Sequence, residues 1–239
     1  MSQSNRMRGF TLVELMISMT FIAVLLIMIA TVVIMTSKIY TQGITLRTVN
    51  SEGRLLVEDM RRTISQAQPI PAAHIITSPS EYGMLCTGKY TYLWSYGKTF
   101  NASGGSTSPL KYTDAGSPPV YFAKVNDADA VICDTWQKDR SLPSLSKQNS
   151  LSLLDNGDRV LAIHRAAITG SPVSGVYHIT LTIGTNDATT VDYTTTTKTS
   201  TGSIEPLGGQ CRPPSQADGQ EDYCAVNVFD FVVRTGSAV

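Results

Sequence analysis

From Leu15 to Ser37 the chain carries no charged side chain, and most positions are Leu, Ile, Val, Met, Phe or Ala. That length of apolar sequence spans a bilayer as a helix. After Ser37 the pattern changes without breaking. Leu46, Val49, Gly53, Leu56, Met60, Ile64 and Ala67 recur at spacings of three and four, while Arg47, Arg54, Glu58, Arg61, Arg62 and Ser65 fill the other positions. This is the period of one helix face, so the second half of the helix is expected to lie on a protein surface. The apolar repeat is too short, and its charges too irregular, for a coiled coil, so the surface is expected to be the protein's own sheet. Pro69 and Pro71 end the pattern, because proline lacks the amide donor and disfavours helix in the residue before it. A helix over residues 10–68 would be on the order of 90 Å long at about 1.5 Å per residue.

Residues 72–239 read as short strands, over Tyr90 to Tyr96, Val120 to Lys124, Ala130 to Cys133, Arg159 to Arg165, Val176 to Ile183 and Ala225 to Val233. Tyr177, Ile179, Leu181 and Ile183 alternate with His178, Thr180 and Thr182, the pattern of a half-buried strand. Val226, Val228, Phe229, Phe231 and Val233 predict a last strand with one irregular step, and a short helix is expected around Ser150 to Leu154. The fold class is therefore α+β, with a long N-terminal helix (membrane half, then amphipathic half) packed on an antiparallel sheet. The segments are 1–9 as a leader, 10–37 as the apolar helix, 38–68 as the amphipathic helix and 69–239 as a β-rich head.

Charge orients this arrangement. Arg6 and Arg8 precede the apolar segment and hold that end in the cytoplasm by the positive-inside rule, which places the head outside. The apolar stretch is longer than a secretory signal and lacks a small-residue cleavage site at its outer end. Overall, 42% of residues are apolar, only 16% are charged, and 19 Lys+Arg balance 19 Asp+Glu. Zero net charge argues against nucleic-acid binding through a broad basic field. A mean hydropathy of −0.01 excludes a uniformly hydrophobic membrane protein. One ionisable group, Glu14, interrupts the stretch from Phe10 to Ser37. A lone carboxylate in a membrane helix is costly and therefore a functional candidate.

Gly9-Phe10-Thr11-Leu12-Val13-Glu14, with basic residues upstream and an apolar helix downstream, resembles the class III signal of type IV pilins and pseudopilins. The resemblance implies that a prepilin peptidase cuts between Gly9 and Phe10 and N-methylates Phe10. It also implies that Glu14 meets the N-terminal amine of Phe10 on a neighbouring subunit as the helices pack into a filament. Pairing makes such a charge tolerable in low dielectric. Many major pilins carry a proline in the membrane half, where this chain has Ala30-Thr31-Val32, with Gly43 and Gly53 as alternative soft points. The 230 residues left after the nine-residue leader, together with SEGRLLVEDMRRTISQA after the anchor, resemble the larger minor subunits of the J and W types that prime or cap filaments. The expected function is thus a minor pilin; the alternatives are a pseudopilin of a type II secretion or DNA-uptake machine, and a membrane-anchored binding domain that never polymerises. The expected partners are other pilin subunits, the peptidase and, before assembly, membrane lipid. The expected location is the inner membrane with the head outside, then an extracellular pilus or periplasmic pseudopilus.

Cys86, Cys133, Cys211 and Cys224 all lie on the outer side, where disulfides form. Three connectivities are possible; Cys86 with Cys133 and Cys211 with Cys224 is favoured, because the second pair brackets a turn-rich loop ahead of the last strand. A disulfide-bounded C-terminal region also fits the pilin resemblance. Asp218, Glu221 and Asp222 in that loop have oxygen ligands suited to calcium but match no EF-hand spacing, so no cofactor is expected. Residues 189–201 contain eight threonines, which read as a solvated variable loop or edge strand, or else as a glycosylated or adhesive surface. No enzyme is expected. Gly97-Lys98-Thr99 resembles the end of a phosphate loop, but Tyr92 stands where its first glycine belongs, and His74, His164 and His178 have no metal-ligand spacing.

Overall fold

The computed structural model describes residues 11–77, 82–97, 99–100, 110–113, 120–154, 160–187, 191–192, 196–198, 204–206, 210–211 and 224–236. One helix, α1, runs Leu12–Ser65, and the chain divides into two units, Met1–Thr41 and Gln42–Val239. In the first unit α1 is apolar all round and exposed all round, with residues such as Ile17, Phe21, Ile27 and Val33 each more than half exposed. It is long and apolar enough to cross a membrane. The hydroxyls of Ser18, Thr20, Thr31 and Thr36 donate to carbonyls three or four residues back, which satisfies them within the helix, as a bilayer requires.

In the second unit α1 has a distinct inner face. Val49, Gly53, Leu56, Met60, Ile64 and Ala67 are buried there. Leu46 is not: it is 46% exposed, and the neighbouring Thr45 is fully buried in its place. The face starts one position earlier than apolarity alone indicates, because packing geometry chose the direction and the small threonine fits it. Gly53 is a contact rather than a soft point. A Cβ there would stand 2.2 Å from the Phe229 ring, so glycine lets the helix come close to the sheet.

The strands are β1 (Ile75–Thr77), β2 (Tyr82–Cys86), β3 (Tyr90–Ser95), β4 (Lys111–Tyr112), β5 (Phe122–Asn126), β6 (Ser144–Leu145), β7 (Ser150–Ser152), β8 (Leu161–Ser171), β9 (Val176–Thr185), β10 (Val191–Asp192), β11 (Thr196–Lys198), β12 (Ile204–Pro206), β13 (Gln210–Cys211) and β14 (Val226–Arg234). A second helix, α2, runs Val131–Asp139. Two sheets form the body: an antiparallel one in the order β1-β2-β3-β5-β7 and a three-stranded antiparallel one in the order β14-β9-β8. A bridge between Tyr96 and Ile163 connects them. Leu56, Met60 and Ile64 of α1 pack on Leu85, Tyr92, Trp94 and Phe122 of the first sheet and on Tyr177, Ile179, Leu181 and Phe231 of the second. The architecture is α+β, a long N-terminal helix on antiparallel sheets.

The first sheet is covered on both faces. Its other side packs Met84, Cys86, Leu93, Ala123 and Val125 against Cys133 of α2 and against Phe100, Leu110, Val120 and Leu145. Double coverage explains why β3 reads as a continuous run with even Thr91 and Ser95 fully buried. One sequence expectation is corrected here: in place of a strand over residues 130–133, Ala130 ends a 3-10 turn and Val131 to Cys133 begin α2. Asp127 accepts the Ile132 N–H with its carboxylate oxygens at 3.3 Å, satisfying an otherwise orphaned donor of the first turn. The residues after Ser150 make a second correction, being strand β7, paired with β5, where a short helix is predicted. The irregular step predicted in the last strand lies elsewhere. β14 pairs with β9 without a shift, and the bulge sits in β8 between Ile163 and Arg165.

That bulge turns His164 into the interior, where its Nε2 lies 3.0 Å from the Thr185 carbonyl. Burial pushes its pKa down from the ordinary 6.5 to about 4, with the Thr185 hydrogen bond opposing. Between those two values the unfolded chain takes up a proton that the folded chain refuses, so stability is full above about pH 6.5 and falls as pH drops toward 4. The loss expected from this residue is about 3 kcal/mol. Urea unfolding at pH 7 and pH 4.5 tests it: the wild type should lose stability over that interval, and His164→Gln should lose distinctly less.

A polar contact fastens α1 to the first sheet. Lys124 Nζ donates to both carboxylate oxygens of Asp59 at 2.9 Å and to Thr63 Oγ1 at 3.0 Å, and the Tyr92 hydroxyl donates to Asp59 at 2.7 Å. Burial raises the Tyr92 phenol pKa, which keeps it protonated as a donor. Beyond the helix, the Tyr177 hydroxyl accepts the Ile70 N–H and donates to the Ile70 carbonyl, both at 2.7 Å. One side chain thereby satisfies both polar groups of a buried backbone residue just after the helix end.

Candidate processing and assembly site

Gly9 and Phe10 lie outside the described residues, so the site begins at Thr11. Thr11 precedes the first helical residue, Leu12, and its Oγ1 accepts the Glu14 N–H at 3.3 Å. Glu14 returns the contact: its Oε2 accepts the Thr11 N–H at 3.1 Å and the Thr11 hydroxyl at 2.9 Å. The Leu15 N–H donates to the Thr11 carbonyl at 3.2 Å and opens the helical ladder. This is a capping box, in which an N-cap threonine and an acid three residues on satisfy each other's orphan donors. Glu14 is therefore not a lone carboxylate. Its charge also sits in the first turn, where the helix dipole favours an anion. Sequence reasoning missed the role of Thr11, although T-x-x-E ahead of an apolar run is its signal.

Residues 4–35 match the family model described as the prokaryotic N-terminal methylation motif. The chain carries a class III signal. Over these residues the chain is similar to proteins with an N-terminal methylation signal. The matched stretch takes in residues 4–9 of the expected leader, the residues around the expected cut, the capping box and most of the apolar half of α1. No curated protein and no solved structure matches the chain.

The four cysteines form two bonds. Cys86, at the end of β2, joins Cys133 of α2 with 6.3 Å between Cα atoms, and Cys211 of β13 joins Cys224 with 5.6 Å. The first bond ties α2 onto the outer side of the first sheet; the second brings β13 beside the residue that leads into β14. Asp218, Glu221, Asp222 and most of the threonine-rich stretch lie outside the described residues, as does Lys98. The three histidines are apart from one another: His74 meets Asp134 at 3.2 Å, His164 meets Thr185, and His178 meets Asp230.

Proposed function

We propose that the chain is made as a prepilin, cut between Gly9 and Phe10, methylated on Phe10 and incorporated into a type IV pilus-like filament as a minor subunit that primes or caps it. The observation that carries this reading is the methylation motif over residues 4–35 running directly into an apolar helix with an exposed surface throughout. Cleavage before that helix leaves it on the mature chain, where it first anchors the subunit in the inner membrane and then packs with other subunits. Three features support the minor role: the membrane half lacks a proline, the head is large, and both faces of the first sheet are already covered. In this reading the working segments are the leader 1–9, the filament-core helix 10–37, the amphipathic helix 38–68 and the head 69–239.

Processing is the first test. Gly9→Val is expected to leave the leader attached, because the peptidase of this family accepts only a small residue before the cut. Mass spectrometry of membranes reads the outcome, and a wild-type mature N terminus anywhere but Phe10 ends the class III reading. The copy ratio of this chain to other subunits in sheared filaments tests the minor role. A ratio near one in several or higher would make it a major subunit.

A further inference from the structure

A cavity of about 430 Å³ opens where α1 ends. Three stretches of chain wall it: residues 66–71, which follow Ser65 at the end of α1; the turn Thr87-Gly88-Lys89 between β2 and β3; and Asp129 and Ala130, just before α2. Each wall is fixed by its own contacts. The Tyr177 hydroxyl engages both main-chain polar groups of Ile70. The Thr87 hydroxyl donates to the Tyr90 carbonyl at 2.8 Å, and the bond between Cys86 and Cys133 ties the end of β2 to α2. The second and third walls are also joined directly, the Asp129 N–H donating to the Gly88 carbonyl and the Asp127 N–H to the Lys89 carbonyl, both at 2.9 Å. The space is therefore formed before anything enters it, as ligand pockets usually are.

Asp129 and Ala130 have φ of 63° and 56°, in the left-handed region that residues other than glycine rarely enter. Two such residues in succession persist only because the surrounding contacts over-determine them, and strain of this kind collects at ligand sites.

The lining has two parts. Ala67, Ile70 and Ala130 are buried and make a small apolar floor. Gln66, Gln68, Lys89 and Asp129 are exposed and make a polar rim. Among the described residues, the side chains of Gln66, Gln68 and Asp129 have no partner, and Lys89 has only the face of the Tyr90 ring, 5.7 Å away. His74, the other titratable group of the lining, is engaged by Asp134 at 3.2 Å. The rim thus offers a cation and an anion that do not pair with each other, together with two amides that both donate and accept.

These charges select the ligand. A simple anion would pair with Lys89 but face the Asp129 carboxylate, and a simple cation would pair with Asp129 but face the Lys89 ammonium, so each loses on one side what it gains on the other. An uncharged sugar leaves both charges unused. A molecule with an ammonium at one end and a carboxylate at the other satisfies both through charge-assisted hydrogen bonds, the stronger kind, and small side chains on it suit the small floor. We propose that the cavity at the end of α1 binds a short peptide with a free amino group and a free carboxylate, the ammonium on Asp129, the carboxylate on Lys89 and the peptide group bonded by Gln66 and Gln68.

The test is calorimetric titration of the full chain in detergent with L-alanyl-L-alanine and with its N-acetylated and C-amidated forms. The free dipeptide should bind, and each capped form, having lost one charge, should bind about tenfold more weakly. Asp129→Asn keeps a residue that tolerates the left-handed backbone; it should weaken the free dipeptide about tenfold and leave the N-acetylated form unchanged. Lys89→Gln should weaken the free dipeptide and the N-acetylated form equally and leave the C-amidated form unchanged. Absence of binding by the free dipeptide at about 10 mM overturns the proposal. So do capped forms that bind as tightly as the free one, glucose binding as tightly as the dipeptide, or variants that weaken all three peptides alike.

Discussion

Glu14→Gln is expected to be cut, inserted and folded, yet to reach sheared filaments at about a tenth of the wild-type ratio or less, which corresponds to about 1.4 kcal/mol or more of lost assembly free energy. The capping box makes this substitution informative. Glutamine at the third helical position still accepts the N-cap amide, so the Thr11 contacts that start α1 are kept and only the charge is removed. Glu14→Val removes both and should assemble worse while inserting at least as well, since an apolar residue is favoured in the bilayer. Thr11→Val separates the two roles from the other side. It keeps the carboxylate but loses the hydroxyl cap, an effect of about 1 kcal/mol on the helix start, and should reduce filament entry far less than Glu14→Gln. Quantitative blots of filaments against membranes read all three, with Phe10 methylation measured alongside. If Glu14→Gln and Glu14→Val co-purify with filaments at the wild-type ratio, the carboxylate has only its capping role and the intersubunit pairing with the Phe10 amine is wrong.

The largest effect on stability is expected from the bond between Cys86 and Cys133. It closes a loop with a sequence separation of 47, for which the chain-entropy model gives about 4 kcal/mol, against about 3 kcal/mol for the separation of 13 between Cys211 and Cys224. Since domains are stable by only about 5–15 kcal/mol, replacing Cys86 and Cys133 by alanine should remove a large share of the margin. Both side chains are buried in the cluster beneath α2, so the substitution also leaves space in a packed layer. Denaturant unfolding followed by Trp94 and Trp136 fluorescence measures the loss, and hydrogen exchange should show Val131–Asp139 opening first. A midpoint shift no larger than that of the Cys211 and Cys224 double alanine variant would overturn the ranking.

Much of the architecture is legible in order along the chain because its causes are local. The apolar run, the change to a one-faced helix, the stop at Pro69 and Pro71 and the alternation in β9 each depend on residues within a few positions of each other, and so does the T-x-x-E box at Thr11 and Glu14. These features together specify a long apolar helix that begins within an N-terminal methylation motif and continues into an amphipathic half with a β-rich head after it. What needed the tertiary structure depends on distant partners. Ala130 to Cys133 has the composition of a strand, yet it lies at the start of α2 because Asp127 caps the first turn and β2 supplies the other half of a disulfide. Thr45 is buried instead of Leu46 because the sheet, not the helix, sets the angle of contact. Lys124 finds Asp59 across 65 residues, and His164 is buried by a single extra residue in β8 that no periodicity marks. The free edge of β14 is likewise decided by the order of strands in its sheet. Local sequence determines what each segment is able to be, and the packing of segments far apart in the chain determines which face is covered and which is left open, since burial is settled only when the covering partner is in place.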